Sequence, residues 1–257
     1  MSVSILASTL HDPENRLYES IIKYGPLIKQ IFKISYVIVT PLTSPKIIEA
    51  LKNLEFETSK GSNNAVDTYK KALNQALNNN QEPIFYCDFD RILHWARTYP
   101  DELKNTINSY LDHDFLLLGR TSRAFNTHPQ TQITTEEIAN QIASKALGFN
   151  IIKDIISACW RLTPELAEKL LKLQVDNIYG FYCEWPIVAW KQAQNPRYLE
   201  VEGLEWETTD RYQKEIKDKG YKRWLQEFQT PEEWERRVEI LNDLIQSISK
   251  YLRNARA

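Results

Sequence analysis

Over the first ninety residues the apolar positions alternate between two spacings. Residues 3–9 form a short apolar run with small residues, ended by "HDPENR", which reads as a buried strand and a turn. In residues 16–32, Leu17, Ile21, Ile22, Leu27, Ile28 and Ile31 recur at helical spacing, and Gly25-Pro26 is expected to bend or split that helix. The β-branched run "ISYVIVT" at 34–40 predicts a second buried strand. Ser44-Pro45 opens a helix over 45–54, and a short strand is expected at 55–58. Ala65, Tyr69, Ala72, Leu73, Ala76 and Leu77 give a helix over 63–79 one apolar face, and "IFYC" at 84–87 is the next strand. Alternating strands and helices imply a mostly parallel central sheet in a three-layer α/β/α sandwich. Such sheets bind ligands outside the carboxyl ends of their strands.

Beyond residue 113 the pattern is less regular. "DFLLLG" at 114–119 reads as a strand feeding the polar loop "RTSRAFNTHPQTQ", and "TTEE" predicts a capping-box helix over 134–147. A strand at 155–161 and a helix at 163–173 follow. "YGFYCEWPIVAWKQA" reads as a short strand or turn and then a helix, and residues 198–208 alternate as a strand. Over 231–256, Trp234, Val238, Leu241, Ile245, Ile248 and Leu252 step by four and three along an amphipathic helix. That stripe must be buried on the back of the domain or on a second copy of the chain, as a homodimer through this helix. No repeat, low-complexity segment or linker interrupts the 257 residues, so one composite domain is expected.

Composition narrows the function classes. With 32 basic and 34 acidic residues the net charge is −2, which removes any broad electrostatic argument for nucleic acid. No apolar run is long enough for a transmembrane segment. The start, "MSVSILASTLHDPENR", has neither a basic region nor a cleavage-like site, so no signal peptide is expected. Cys87, Cys159 and Cys183 are scattered without CxxC spacing, as buried reduced thiols in a cytoplasmic protein would be.

The chemistry concentrates at "IFYCDFDR". Asp88 and Asp90 end an apolar strand at the ligand edge, although Asp is a poor strand former. Where the chain turns, both carboxylates can reach one hard divalent cation, Mn²⁺ or Mg²⁺, which keeps positions for phosphate oxygens. The plainer reading is that Asp88 caps the turn and Asp90 pairs with Arg91.

These segments resemble the nucleotide-sugar glycosyltransferases of GT-A fold. "ILASTLHDPENR" is similar to their first strand and nucleotide-contacting loop, and "GSNNAVDTYKKALNQA" to the helix before the metal strand. "IFYCDFDR" is similar to the metal strand with its DxD motif, "DIISACWRLTPELAEKLL" to a strand and helix of the acceptor side, and "YCEWPIVAWKQ" to the segment where an acidic residue opens a helix. The resemblance implies a nucleotide-binding half over 1–113, an acceptor half over 114–212 and a helical extension over 213–257. It implies a metal-dependent transferase moving a sugar from a nucleotide-sugar donor to an acceptor hydroxyl. Asp88 and Asp90 become the metal ligands, and Ser8, Thr9, Asp12, Asn64 and Asp88 the donor contacts. Glu184 becomes the general base, and Asp210 the late residue that completes the metal site. Two departures stand out. The second strand ends "VIVTPLTS" without the usual acids, and Glu184 is followed by Trp185-Pro186 rather than by a second acid.

Other polar groups have two readings each. Arg120 and Arg123, after a strand, suit a phosphate or anionic acceptor or are solvated loop arginines. His94 reads as a helix-surface residue, and loop His128 as a third metal ligand or a plain surface histidine. Trp185, with Tyr179, Tyr182 and Trp190, suits a sugar-stacking wall or the core. Three further functions compete. A nucleotidyltransferase of the same fold would carry a glycine-rich loop after the first strand, and "STLHDPENR" has no glycine. A phosphatase of the haloacid-dehalogenase class would carry its DxD on the first strand. A non-catalytic α/β domain would bind a partner through its C-terminal helix.

Overall fold

The computed structural model describes residues 4–78, 81–175, 177 and 179–253. Residue 3 of the first expected strand, residue 79 of the third helix and residues 254–256 of the last lie outside them. The early alternation is present: β1 (Ile5–Leu10), α1 (Tyr18–Ile31), β2 (Ile34–Val39), α2 (Pro45–Asn53), β3 (Glu57–Lys60), α3 (Ala65–Leu77) and β4 (Ile84–Cys87). Helix α1 runs through Pro26 without splitting, because Ile21, Gly25, Ile28 and Ile31 share a buried face. Burial outweighs local propensity there. The β3 strand starts two residues late because Glu55 takes a positive φ of 61° after α2.

Helix α4 (Phe89–Thr98), implied only by the reading of His94 as a helix-surface residue, and α5 (Pro100–Asn108), not foreseen, follow β4 directly. Then come β5 (Phe115–Arg120), α6 (Ser122–Phe125), α7 (Gln130–Ala146), β6 (Cys159–Leu162), α8 (Pro164–Leu171), α9 (Gly180–Gln192) and β7 (Pro196–Val201). Helix α7 begins four residues before the expected capping box, behind Pro129, and Thr135 bonds back to the Thr131 carbonyl instead of capping. Strand β6 is short because side chains take the backbone groups before it. Asn140 Oδ1 accepts the Ile155 and Ile156 amides, and Arg91 bonds the Ser157 carbonyl. A 3-10 helix, Glu207–Tyr212, stands where the alternation suggested more strand, followed by α10 (Gln213–Lys219), α11 (Tyr221–Gln226) and α12 (Pro231–Arg253).

One sheet contains all seven strands of the described residues in the order β3-β2-β1-β4-β6-β5-β7. Every pairing is parallel except those of β6, which runs antiparallel to both β4 and β5. Alternate residues of β1 and β4 feed two cores. Ile5, Ala7, Ile84 and Tyr86 face α3, α7, α8, α9 and α12. Leu6, Leu10, Phe85 and Cys87 face α1, α2, α4 and α5. This is the α/β/α sandwich. Helix α12 docks in cis on α7 and α9, burying Leu244 and Ile248 and leaving Val238 exposed. All three cysteines are buried and free, and no described helix is long and apolar enough to cross a membrane.

Candidate active site

Strand β4 passes directly into α4. Asp88 is the extended N-cap residue (φ −62°, ψ 142°) and Asp90 lies in the first turn. The Asp88 carboxylate does not cap the helix; its Oδ1 accepts from the Thr9 hydroxyl at 2.9 Å, across from the end of β1. Its Oδ2 has no hydrogen-bond partner among the described residues. Asp90 accepts from the Arg91 amide through Oδ1 and from Arg211 Nη2, at 2.8 Å, through Oδ2. Burial pushes the Asp88 carboxyl up to about 7; Arg91 pulls against it, and the charge of Asp90 adds to the rise. Burial acts on Asp90 too, but Arg211 outweighs it and holds that carboxyl below the usual carboxylate range.

Two clefts are lined by neighbours of Asp88, Thr9 in one and Arg91 in the other. One, of about 250 Å³, lies at the ends of β1 and β2 and the start of α3, lined among others by Thr9, His11, Thr40, Leu42, Ser62 and Tyr69. The other, of about 190 Å³, is lined by Arg91, Tyr182, Trp206, Glu207 and, from α12, Arg236 and Arg237. A hydrogen bond between the Tyr69 and Tyr182 hydroxyls, 2.9 Å long, stands between them. The charge of Glu207 acts on Asp88, Arg91 and Arg211 together. A larger cavity, about 570 Å³, lies on the far side of α7 against the edge strand β7. Its buried Arg120, Asp154 and Asn140 satisfy one another.

The expected donor contacts fall at the ligand edge in three different roles. Thr9 touches Asp88. Ser8 is buried and bonds the Cys87 carbonyl at 2.6 Å, pinning β1 to β4. Asp12 is 1% exposed and accepts the amides of Arg16 and Leu17, fixing the start of α1. Asn64 caps α3 through the Val66 amide.

The other expected residues do not join this cluster. Glu184 is not at a helix start facing a cleft. It lies inside α9, 2% exposed, and accepts from Lys250 (3.0 Å) and Tyr251 (3.4 Å) of α12. Asp210 has no free oxygen for a metal, since both are taken, by Arg97 at 2.7 Å and by His94 at 2.9 Å. His94 is therefore buried and not on the helix surface, with Glu205 on its other nitrogen at 3.2 Å. Arg120 is committed to Asp154, Glu136 and the Phe125 ring. Arg123 is an exposed arginine paired with Glu202 and Glu205. His128 is buried, not on the surface; burial first, then Arg120, pushes its imidazole well below the ordinary range, so it stays neutral. Trp185 is fully buried against Phe181 in the core.

Arg91, Glu207 and Arg211 were missed by sequence reasoning. Arg91 had the signal of adjacency to the DxD pair. Arg211 had only a place in "TTDRY", where no periodicity marks a site.

Two carboxylates with one unpartnered oxygen suit a hard cation that shares its coordination with substrate phosphates. No group of three or more His, Cys, Asp or Glu among the described residues could hold an ion unaided. The donor set therefore fits a divalent ion that arrives with a diphosphate.

No protein-family model matches the chain, and no curated protein sequence matches it significantly. Among solved structures, Mycobacterium tuberculosis glucosyl-3-phosphoglycerate synthase in complex with uridine diphosphate (UDP) matches with a TM-score of 0.52, at 12% identity, over 78% of this chain and 71% of that one. The same enzyme with Mn²⁺, UDP-glucose and phosphoglyceric acid matches with a TM-score of 0.50, at 12% identity, over 77% and 69%. At such identity the likeness is one of fold. With β6 antiparallel in an otherwise parallel sheet flanked by helices, the chain has an α/β fold of GT-A type.

Proposed function

We propose that this protein is a glycosyltransferase that moves a sugar from a nucleotide-diphosphate donor to an acceptor hydroxyl. One observation carries the reading: Thr9, which lines one cleft, donates to Asp88, and Arg91 and Glu207, which line the other, act on the Asp88 charge. The nucleotide lies in the cleft at the ends of β1 and β2, its diphosphate towards Asp88, and the acceptor enters between α9, α12 and the 3-10 helix. Asp88 and Asp90 would hold a divalent ion, which supplies positive charge to the diphosphate as the sugar bond breaks. The neighbour's complex with Mn²⁺ and UDP-glucose supports that assignment. Arg91 and Arg211 add positive charge beside the leaving group. Glu207 replaces Glu184 as the candidate base. It borders the acceptor cleft and makes no hydrogen bond among the described residues, whereas Glu184 is tied to Lys250.

Calorimetric titration with nucleoside diphosphates, with and without Mn²⁺, tests the reading. Asp88→Asn with Asp90→Asn is expected to lose Mn²⁺-dependent affinity by more than about tenfold, with the fold intact. Unchanged affinity in the double variant removes the metal and diphosphate role.

A further inference from the structure

Arg211 lies in the 3-10 helix and reaches back over the strand ends. Its Nη2 is 2.8 Å from Asp90 Oδ2 and its Nη1 3.5 Å from Asp12 Oδ1. It is held from behind as well. Its carbonyl accepts from Arg16 Nη1 at 3.1 Å; Arg16 is in turn paired with Glu215 at 2.6 Å and lies over the Tyr212 ring. Asp12 already spends its carboxylate on the start of α1, so the closer bond of Arg211 is to Asp90. Arg211 thus sits on the Asp90 oxygen that a metal ion would use.

A guanidinium and a divalent ion repel each other at one carboxylate oxygen. A diphosphate resolves the conflict, because its oxygens accept the guanidinium fork and coordinate a cation at the same time. We propose that Arg211 makes metal binding conditional on the donor. Without nucleotide its guanidinium occupies Asp90, and Asp88 alone binds a divalent ion weakly. When a nucleotide diphosphate enters, the guanidinium moves onto phosphate oxygens, and the freed Asp90 joins Asp88. Arg211 is then a positioning residue that orders the encounter, metal with or after donor. This rests on the donor-site reading above. The 3-10 helix keeps its neighbouring tie to α4 through Asp210 with His94 and Arg97, so its place does not depend on Arg211.

The experiment measures Mn²⁺ binding to the full chain by the electron paramagnetic resonance of the free ion. It is done without nucleotide and with UDP, GDP, ADP or CDP. In the unaltered protein one of the diphosphates is expected to tighten Mn²⁺ binding by about tenfold or more. Arg211→Gln is expected to bind Mn²⁺ about tenfold more tightly without nucleotide, to gain less from the diphosphate, and to bind that diphosphate more weakly in the presence of a chelator. A purely structural ion pair predicts the reverse: a less stable protein with Mn²⁺ affinity unchanged or lower. That result overturns the proposal. Asp90→Asn serves if Arg211→Gln does not fold. It is expected to leave nucleotide-free Mn²⁺ binding within about twofold and to abolish the nucleotide-dependent gain. A several-fold loss without nucleotide means that Asp90 was open to the ion all along, and the gate is refuted. If the unaltered chain binds no Mn²⁺ with any of the four diphosphates, the donor-site reading fails, and the gate with it. If it binds and Arg211→Gln is indistinguishable from it, only the gate fails.

Discussion

At the scale of single residues, His94 and Glu184 are the most informative polar groups outside the site. Burial alone would lower the His94 pKa, but hydrogen bonds to Asp210 and Glu205 overcome it and push it up to about 9. Because the folded value exceeds the unfolded one of about 6.5, the stabilisation is fully present below pH 6.5 and is lost as pH rises through 9. Glu205 is the other half of this contact, pulled down to about 2 by its bond to His94 against the opposing effect of burial. Its contribution is complete above about pH 4.5 and fails as pH falls through 2. Urea unfolding followed from pH 6.5 to 9.5 is expected to lose about 2–4 kcal/mol to His94, and His94→Gln is expected to flatten that slope. An equal slope in the variant would place the titration elsewhere. Glu184 tests the division between site and core. Its carboxylate is 2% exposed, so Glu184→Gln should cost about 1–3 kcal/mol of stability by weakening the tie to Lys250 and Tyr251. Nucleotide affinity should not change, and a loss of turnover at full stability would return Glu184 to the chemistry.

At the scale of elements, the loop after β7 decides where the 3-10 helix lies. Glu102 of α5 accepts the amides of Glu202 and Gly203 at 2.9 Å each, and it also accepts the Trp95 indole N–H. A Cβ on Gly203 would overlap the Trp95 ring, which is fully buried and cannot retreat. Gly203→Ala is therefore expected to destabilise by about 2–4 kcal/mol in chemical denaturation. It should also weaken diphosphate binding, because Glu207 and Arg211 follow on the same segment. An unchanged unfolding midpoint would mean that the loop shifts at no cost. This region also marks the limit of what the sequence revealed. The strands β1, β2 and β4 are legible because burial on both faces makes Ile5–Leu10, Ile34–Val39 and Ile84–Cys87 short continuous apolar runs, and the helices between them because one face alone is apolar. The DxD pair is legible because it ends such a run. Helix α4 hides behind the pair. Its apolar face, Phe89, Ile92, Leu93 and Ala96, alternates with a polar one, Asp90, His94 and Arg97, which is spent on the 3-10 helix. Buried ion pairs of this kind look solvated in a sequence, because only their partner, more than a hundred residues away, shows that they are internal. Glu184 misleads for the same reason: Lys250 lies sixty-six residues on.

At the scale of the whole molecule, α12 is part of the core rather than an appendage. Leu244 and Ile248 complete the core on one face of the sheet. Truncation after Phe228 is expected to expose α7 and α9 and to give insoluble or strongly ANS-binding protein; a soluble, cooperatively unfolding fragment would contradict this. The same helix contributes Arg236, Arg237, Ile240 and Leu244 to the cleft assigned to the acceptor. The cleft at the ends of β1 and β2 draws only on residues up to Tyr69, and the DxD pair follows at once. The two clefts therefore come into being at different moments of synthesis. A chain growing at roughly 5–20 residues per second makes the first cleft about 10–30 s before the residues that wall the second. During that interval a nascent chain has the strand-end groups and the DxD pair but not Arg211, and no enclosed place for an acceptor. A donor bound so early would brace the parallel half of the sheet while the rest of the molecule is still being made.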